Sequence, residues 1–341
     1  MASASMAVTG LGPPVELSAE DGYFSCDFID AIPKDDMATM EHPVFSLSTK
    51  PDRRVLDYSR GGVDITVTPS VKGLATIHDK DILIFCVSQL MAAVNAGRPI
   101  GRSLTLTAHD LLIATNRETS GDGYQRLRDA FERLAGTRIT TNMALGDLDV
   151  TRGFGLIEDW QIVRRSRKGR MISVSVTLSD WLYQAVLSRS VLTLSRDYFR
   201  LRKPLERRVY ELARKHCGRQ PMWRVSLEVL QQKSGSASPR RVFRAMLREM
   251  ISRDALPDYS LAEEPGDMIR VSSRGLLLDE AQLPGLAPLK EATLEAGRDL
   301  LPGADIYALE AEWRDWWASS GRPYLRSPDR AFLGWLAKRP G

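Results

Sequence analysis

The stretch WRVSLEVLQQKSGSASPRRVFRAMLREM, residues 223–250, decides the predicted fold of this chain. A short β-rich segment leads to Ser226, a typical N-cap residue in front of a short helix with apolar periodicity. A Ser/Gly turn follows. A second helix then begins at Ser238 with Pro239 at its first position, where a missing N–H costs nothing. This order predicts a helix-turn-helix whose second helix would lie in the major groove of DNA.

The same pattern occurs earlier in the chain, in SLTLTAHDLLIATNRETSGDGYQRLRDAFERLAG, residues 103–136. Thr107 is the N-cap of the first copy, as Ser226 is of the second, and no gap is needed to align the two copies through both helices. The apolar positions that match are Leu111 with Leu230, Leu127 with Met246, and Phe131 with Met250. A single helix-turn-helix is a weak sequence signal, but two copies in register favour a tandem arrangement.

Sequence typical of β-strands follows each copy. Residues 137–141 predict a strand, and residues 155–164 with 171–178 predict a hairpin whose second arm alternates apolar and polar residues. Residues 254–261 and 268–272 predict a second hairpin with an acidic turn. A helix before a helix-turn-helix and a hairpin after it form a winged helix. We therefore predict an α+β protein with two tandem winged-helix domains and a C-terminal helical segment.

The predicted domain organisation has five parts. A helix over about 203–216 opens the second winged-helix domain, and a Pro/Gly/Ala-rich stretch separates that domain from the C-terminus. The parts are a disordered acidic N-terminus (1–40), a first winged-helix domain (41–190), a second winged-helix domain (191–280), a linker (281–303) and a Trp-containing helical hairpin (304–341).

Positive charge is concentrated in the middle of the chain. The whole chain has a net charge of +4, but residues 160–253 contain 22 Lys and Arg residues against 6 Asp and Glu residues, so this block alone has a net charge of +16. The flanks on either side are acidic. Such a block is typical of proteins that bind the phosphate backbone of nucleic acids, and its alternative explanation is an arginine-rich surface that only contacts water.

The predicted DNA-binding surface has three parts. The helix from Ser238 has an apolar face, and its opposite face is a stripe of arginines that could bind phosphates or guanine. The first copy offers outward polar residues with mixed charge, and the first hairpin has a basic turn suited to the DNA backbone or the minor groove. The predicted residues are Ser238, Arg240, Arg241, Arg244 and Arg248; Gln125, Arg126 and Arg128; and Arg164, Arg165, Arg167, Lys168 and Arg170.

The sequence lacks the signatures of several other functions. It has no GxxxxGK[ST] phosphate loop, and its four histidines are scattered rather than paired, so we expect no enzyme activity, no metal site and no cofactor. No run of about 18 apolar residues predicts a membrane span, and the first residues lack the charged and apolar regions of a secretory signal. Three widely spaced cysteines fit a reducing cytoplasm.

Two blocks, EHPVFSLSTKPDRR (41–54) and GGVDITVTPSVKGLATIHDKDILIFCVSQLMAA (61–93), resemble the plasmid replication initiator protein A family. The resemblance runs from about residue 41 to about 275. YFRLRKPLERRVYELARKHCG (198–218) is similar to the helix that opens the second winged domain of iteron-binding plasmid initiators. The resemblance implies a bacterial, plasmid-associated protein that binds repeated origin sequences in double-stranded DNA and helps to melt the origin. It also implies recruitment of the host initiator and helicase, and a homodimer that represses its own promoter.

Three alternatives remain open at this stage. The same two modules could serve a transcriptional repressor without initiator activity. A nicking enzyme of the rolling-circle type is less favoured, because it would need a metal-binding pair of histidines and the sequence has none. An adaptor that acts mainly through the Trp-containing hairpin at 304–341 is the third.

Overall fold

The computed structural model describes residues 23–28, 31–60, 62–145, 148–164, 171–218, 220–274, 289–301, 304–319 and 327–339. The strands are β1 (Phe24–Ser25), β2 (Lys34–Asp36), β3 (Leu56–Arg60), β4 (Val63–Thr68), β5 (Ser103–Leu106), β6 (Arg138–Leu145), β7 (Leu148–Gly155), β8 (Ile157–Arg164), β9 (Met171–Leu178), β10 (Val191–Thr193), β11 (Met222–Ser226), β12 (Tyr259–Glu264) and β13 (Met268–Ser273). The helices are α1 (Met37–Glu41), α2 (Lys80–Asn95), α3 (Ala108–Ala114), α4 (Gly121–Gly136), α5 (Asp180–Leu187), a 3-10 helix (Arg196–Arg200), α6 (Pro204–Cys217), α7 (Leu227–Ser234), α8 (Arg240–Ser252), α9 (Glu291–Leu300), α10 (Ile306–Ser319) and α11 (Pro328–Leu336). The mixed α+β class is confirmed.

Two parts of the chain repeat one order of elements. The first unit runs α2, β5, α3, α4, β8 and β9, and the second runs α6, β11, α7, α8, β12 and β13. In each unit the last strand pairs with the first one, which gives the sheet orders β5-β9-β8 and β11-β13-β12. The two copies recognised in the sequence therefore share a sheet topology as well as a helix pattern.

The first unit contains an insertion that the sequence analysis placed wrongly. β6 covers the predicted strand at 137–141, but it does not join the sheet of the first unit. It pairs with β4 and β7 in a separate sheet of order β3-β4-β6-β7. A strand's local sequence predicts its conformation but not its partner, because the partner is selected by packing across the chain.

Side-chain caps are present at both predicted N-cap residues of the two copies. The Thr107 hydroxyl accepts the Asp110 N–H at 3.1 Å, and the Ser226 hydroxyl accepts the Val229 N–H at 3.2 Å. Helix α8 begins at Arg240, with Pro239 as its cap rather than as its first residue. A shift of one residue at a helix end is small, yet it leaves α8 without a side-chain cap.

Each unit has its own apolar core. Leu104, Leu127 and Phe131 are fully buried in the first, and Val209 and Phe243 are fully buried in the second. Helix α2 is buried nearly all round, which explains why its apolar residues do not follow a single stripe.

The predicted disordered N-terminus is ordered over 23–28 and 31–40, so that prediction is wrong there; residues 1–22 lie outside the described residues. Strand β1 pairs in parallel with β5, and β2 pairs antiparallel with β10. The acidic residues of this segment looked like a solvated tail. Asp35, however, is buried, and its carboxylate lies 2.5 Å from the Lys80 ammonium.

The predicted linker is helical over α9, and residues 281–288 lie outside the described part of the chain. Thr293 and Leu294 are buried, and α9 packs against α10 and α11 in a third apolar cluster. A Cβ added at Gly297 would lie 2.6 Å from Ile306, so glycine permits the close approach of α9 and α10. The small residues that suggested a linker instead allow two helices to pack closely. The two helices predicted within 304–341 are present as α10 and α11.

A buried ion network joins the two units. The Lys80 ammonium of α2 is fully buried between the carboxylates of Asp35, at 2.5 Å, and Glu211, at 3.0 Å. Arg207 of α6 pairs with Asp81 of α2. Breaking a buried pair leaves an uncompensated charge, so this network holds α2 and α6 in one arrangement.

The C-terminal helices dock on the second unit. The Arg214 guanidinium of α6 lies 2.9 Å from the Asp305 carboxylate, and Tyr307 lies against Gly218 at the end of α6. In the part of the chain that the structure describes, no helix combines the length and the apolar character needed to cross a bilayer.

Candidate nucleic-acid interface

Helix α8 has one buried face and one charged face. Phe243, Leu247 and Met250 are buried in the core of the second unit, which holds the helix against α6 and α7. On the outer face, Arg240 and Arg248 are exposed. The predicted helix and its arginine stripe are therefore present.

The first turn of α8 is unusual for an isolated helix. It contains no acidic residue, and Pro239 provides no side-chain cap. Arg240 and Arg241 lie there instead, although the partial positive charge of a helix N-terminus disfavours cations. Arg241 is exposed and has no side-chain hydrogen bond or ion pair with any described residue. An anion such as a phosphate would bind the free N–H groups at this end of the helix. It would also offset the repulsion between the two arginines and the positive end of the helix dipole.

Three of the stripe's arginines are ion-paired, and their partners lie outside α8. The Arg248 Nε lies 2.7 Å from the Glu263 carboxylate. Arg244 contacts both Glu263, at 3.3 Å, and Asp267, at 2.7 Å. Glu263 and Asp267 belong to the β12–β13 hairpin, which folds over the helix. The acidic turn had been noticed in the sequence, but its position against α8 depends on tertiary structure.

The third pair, at the start of the stripe, joins α8 to α7. The Arg240 guanidinium lies 3.0 Å from the Glu228 carboxylate, and both side chains are more than half exposed. Ion pairs this exposed are each worth about 0–1 kcal/mol, so a phosphate could displace them at little cost.

The hairpin carboxylates remain ionised beside the arginines. The hydrogen bond from Arg248 lowers the pKa of Glu263, and the hydrogen bond from Arg244 lowers the pKa of Asp267. The arginines of α8 therefore alternate with ionised carboxylates of the hairpin. Only part of the positive charge on this helix is uncompensated.

Ser238 lies in the turn before α8. Its carbonyl oxygen accepts a hydrogen bond from the Gln231 side chain at 2.6 Å, and its N–H donates to the Ser236 hydroxyl at 3.4 Å. These contacts hold the turn between α7 and α8. A role in DNA binding stays a prediction for this residue.

The outer face of α4 is neutralised by its own neighbours. Arg128 pairs with Glu132 one turn along at 3.3 Å, and Arg126 pairs with Glu118 at 3.0 Å. The Gln125 amide donates to Asp129 at 3.3 Å. The predicted contacts of Gln125, Arg126 and Arg128 with DNA stay predictions; Arg126 is 65% exposed, compared with 52% for Arg240 of α8.

The basic turn of the first hairpin lies mostly outside the described residues. Arg164 ends β8, and the structure describes its backbone only. Arg165, Arg167, Lys168 and Arg170 fall within 165–170, so their predicted contacts with DNA stay predictions.

A basic position between the two units was not predicted from the sequence. Arg202 is exposed, and its guanidinium donates to the Asn116 carbonyl at 3.3 Å, next to the turn between α3 and α4. Lys203 follows and lies 2.5 Å from Glu249 near the end of α8. The contrast between Arg202 and the buried Arg207 and Arg208 of the same sequence run could not be read from charge alone.

Among the residues that the structure describes, no group of three or more His, Cys, Asp or Glu side chains could hold a metal ion. A cleft of about 810 Å³ lies between β3 of the inserted sheet and the α7–α8 turn. Its lining combines apolar side chains, such as Val55 and Ile65, with charged ones, such as Arg54 and Lys233.

Comparisons with known proteins agree with this architecture. The profile of the family described as Replication initiator protein A matches residues 34–261. A curated relative from Wigglesworthia glossinidia brevipalpis, named "Putative replication protein", is 38% identical over 232 residues, which cover 67% of this chain and 84% of the relative.

Solved structures of RctB are similar in fold. A selenomethionine derivative of its domains 2 and 3 superposes with a TM-score of 0.53 at 14% identity, covering 70% of this chain and 98% of that one. A second structure of the same two domains gives 0.50 at 14% identity, covering 72% and 99%.

The matches define the class of protein as a replication initiator. Because the family profile spans more than half of the sequence, the chain belongs to the Replication initiator protein A family.

Proposed function

We propose that this protein initiates plasmid replication by binding repeated origin sequences through two winged-helix domains. Family membership supports the initiator role. The repeated order of helix, strand, two helices and hairpin supports the winged-helix assignment for both units. In each unit the second helix of the helix-turn-helix, α4 or α8, would face the major groove.

The start of α8 is the observation that carries the DNA-binding proposal. Arg240 and Arg241 lie at an uncapped helix N-terminus without an acidic residue in its first turn. This arrangement is unfavourable for the helix alone and favourable with a phosphate bound. Within the second unit, α8 would provide most of the contact with duplex DNA, and Arg202 would extend the basic surface towards the first unit.

Binding measured against salt tests the proposal. With roughly 6–10 phosphate contacts, affinity for duplex DNA from the flanks of the protein's own gene should fall about 10³–10⁵-fold between 50 and 200 mM salt. Fluorescence anisotropy with a labelled duplex measures this slope. An affinity that does not change with salt would contradict DNA-backbone binding.

The initiator role and the repressor role predict different results in cells. A minimal plasmid that carries this gene and its flanking DNA should replicate autonomously if the protein is an initiator. Failure to replicate, with repression of a reporter under its own promoter, would instead favour a repressor. We propose that initiation also involves a homodimer that represses this promoter, and the host initiator and helicase.

We also propose that the protein is not an enzyme and acts on DNA in the bacterial cytoplasm. Incubation of supercoiled origin DNA with the protein and a divalent metal should leave the circles supercoiled. Relaxed circles would show nicking and overturn this part of the proposal.

The C-terminal helices α9, α10 and α11 are a candidate docking unit for a host protein. They form a separate apolar cluster, and Trp316 of α10 is about half exposed. Deletion from residue 289 onwards removes the whole cluster. We expect the deletion to keep DNA binding and to abolish plasmid replication.

A further inference from the structure

Arg248 has a guanidinium with one edge occupied and one edge open. Its Nε donates to Glu263 Oε2 at 2.7 Å, and its Nη2 donates to Oε1 of the same carboxylate at 3.1 Å. An arginine has five N–H donors, so this two-point contact leaves the end formed by Nη1 and the second Nη2 hydrogen unused. The side chain is 61% exposed, so this end is open to a ligand.

Arg244, one turn earlier on α8, is arranged differently. Its Nη1 donates to Glu263 at 3.3 Å and its Nη2 donates to Asp267 at 2.7 Å, so both terminal nitrogens bind the hairpin. The side chain is only 27% exposed. Arg244 therefore links α8 to the hairpin, whereas Arg248 is held by the hairpin and points an unoccupied edge outward.

Guanine is the base that fits this open edge. Its O6 and N7 acceptors in the major groove match the paired terminal N–H groups of an arginine. A flexible arginine loses side-chain entropy when it makes such a contact. A carboxylate that already holds the opposite edge reduces that loss, because the guanidinium plane is fixed before DNA arrives.

We infer that Glu263 is a positioning residue that presents Arg248 to one guanine of the target sequence. The inference rests on the proposed function, since it assumes that α8 enters the major groove. It adds the base that Arg248 recognises and a role for an acidic residue that would otherwise only repel phosphate. Glu263 touches the arginine and not the DNA.

The chain provides a matched control in the adjacent residue. Glu264 is 24% exposed, as Glu263 is, and it also contacts two arginines, Arg224 at 3.1 Å and Arg270 at 2.9 Å. Neither of these arginines belongs to α8. Glu263→Gln and Glu264→Gln each remove one negative charge from one hairpin, so any general change in attraction to DNA should be equal in both.

The test compares binding to two duplexes, one selected by the parent protein from a randomised pool and one of scrambled sequence. Both variants should bind the scrambled duplex slightly more tightly than the parent does. The ratio of selected to scrambled affinity should fall about 10-fold for E263Q and stay unchanged for E264Q. Thermal unfolding of the two variants should occur at similar temperatures, which excludes general misfolding as the cause.

A scan of single base-pair substitutions measures discrimination at each position of the site. This measurement would not change at one specific position if Glu263 had only a structural role. E263Q and Arg248→Ala should lose discrimination at the same G·C pair. An unchanged ratio in E263Q, or a loss at a pair different from that of the Arg248 variant, would overturn the inference while leaving the proposed function intact. A parent protein that selects no sequence from the pool would overturn the proposed function and this inference together.

Discussion

Helices α4 and α8 occupy equivalent positions in two units of the same topology, yet their charged faces differ. Ser120 caps α4 by accepting the Gly123 N–H, and Asp122 lies in its first turn. Helix α8 has neither feature, and two arginines take their place. The N-terminus of α4 is therefore satisfied by residues of its own chain segment, whereas that of α8 is not, and under the proposed function a DNA phosphate would complete it.

The partners of the arginines differ in the same way. On α4, Arg128 pairs within the helix. On α8, Arg244 and Arg248 pair with a hairpin that is distant in the sequence. Two helices in equivalent positions of one topology can therefore differ in the charge that they present. Under the proposed function, α8 would provide specificity, and α4 would support its domain and add weaker contacts.

The largest expected effect concerns the junction that holds the two units together. Lys80→Ala would leave the buried Asp35 carboxylate without its cation and would remove one of the two cations beside Glu211, which also pairs with Arg208. We therefore expect a loss of about 3–5 kcal/mol in the free energy of unfolding, measured by urea denaturation. Lys72→Ala is the control, because Lys72 also lies near two carboxylates but is half exposed. Its loss should stay below about 1 kcal/mol. Equal losses would mean that the network does not join the units.

The second prediction tests the comparison of α4 and α8 directly. Replacing Arg240, Arg241 and Arg248 with alanine should lower affinity for origin DNA about 100-fold, at roughly 1 kcal/mol for each contact. Replacing Gln125, Arg126 and Arg128 should lower it less than about 10-fold, because α4 has an acidic residue in its first turn and two more, Asp129 and Glu132, beside these side chains, whereas the first turn of α8 has none. Anisotropy titration at one salt concentration measures both. A larger loss of affinity for the α4 variant would show that α4, and not α8, makes the main contact with DNA.

The third prediction uses pH to probe the same junction. Burial and the nearby Arg207 charge lower the pKa of His78 to about 4, below its ordinary value of 6.5. The folded state therefore binds fewer protons at His78 than the unfolded state does. Its contribution to stability is complete above pH 6.5 and is lost as pH falls towards 4, by a total of about 3 kcal/mol. Denaturation between pH 7 and 4 should show this loss in the parent and a smaller one in His78→Gln.

The fourth and smallest effect concerns the turns before the two helices. Gly235 has φ +70°, and an added Cβ would lie 2.7 Å from Pro43. Gly235→Ala should therefore destabilise the protein by about 1–3 kcal/mol. Gly121 begins α4 with open space around its Cα, so Gly121→Ala should be neutral or slightly stabilising. Thermal unfolding compares the pair, and an unaffected Gly235 variant would show that the α7–α8 turn does not need its contact with Pro43.

Local sequence predicted the elements well and their partners poorly. The caps at Thr107 and Ser226 and the apolar faces of α4 and α8 were correct, because they depend on residues within one or two turns. The acidic segment before residue 40 and the Ala/Gly-rich segment of α9 were misread as disorder and linker. Composition alone does not show whether such segments are ordered. Asp35 is ordered by its pair with Lys80, and the Gly297 region is ordered by its contact with Ile306, and both partners are set by the fold.

The sequence by itself determined the two-copy helix-turn-helix pattern, the concentration of positive charge in residues 160–253 and the family of the protein. Periodicity, capping and net charge could be read in this way because they are properties of neighbouring residues. The family followed instead from the resemblance of residues 41–54 and 61–93 to known initiators. Only the tertiary structure decided which cations are available. Arg207 is buried against Asp81, Arg248 pairs with Glu263 and is 61% exposed, and Arg241 has no ion pair with any described residue. Charges act through distance in space, and folding sets those distances between residues far apart in the chain.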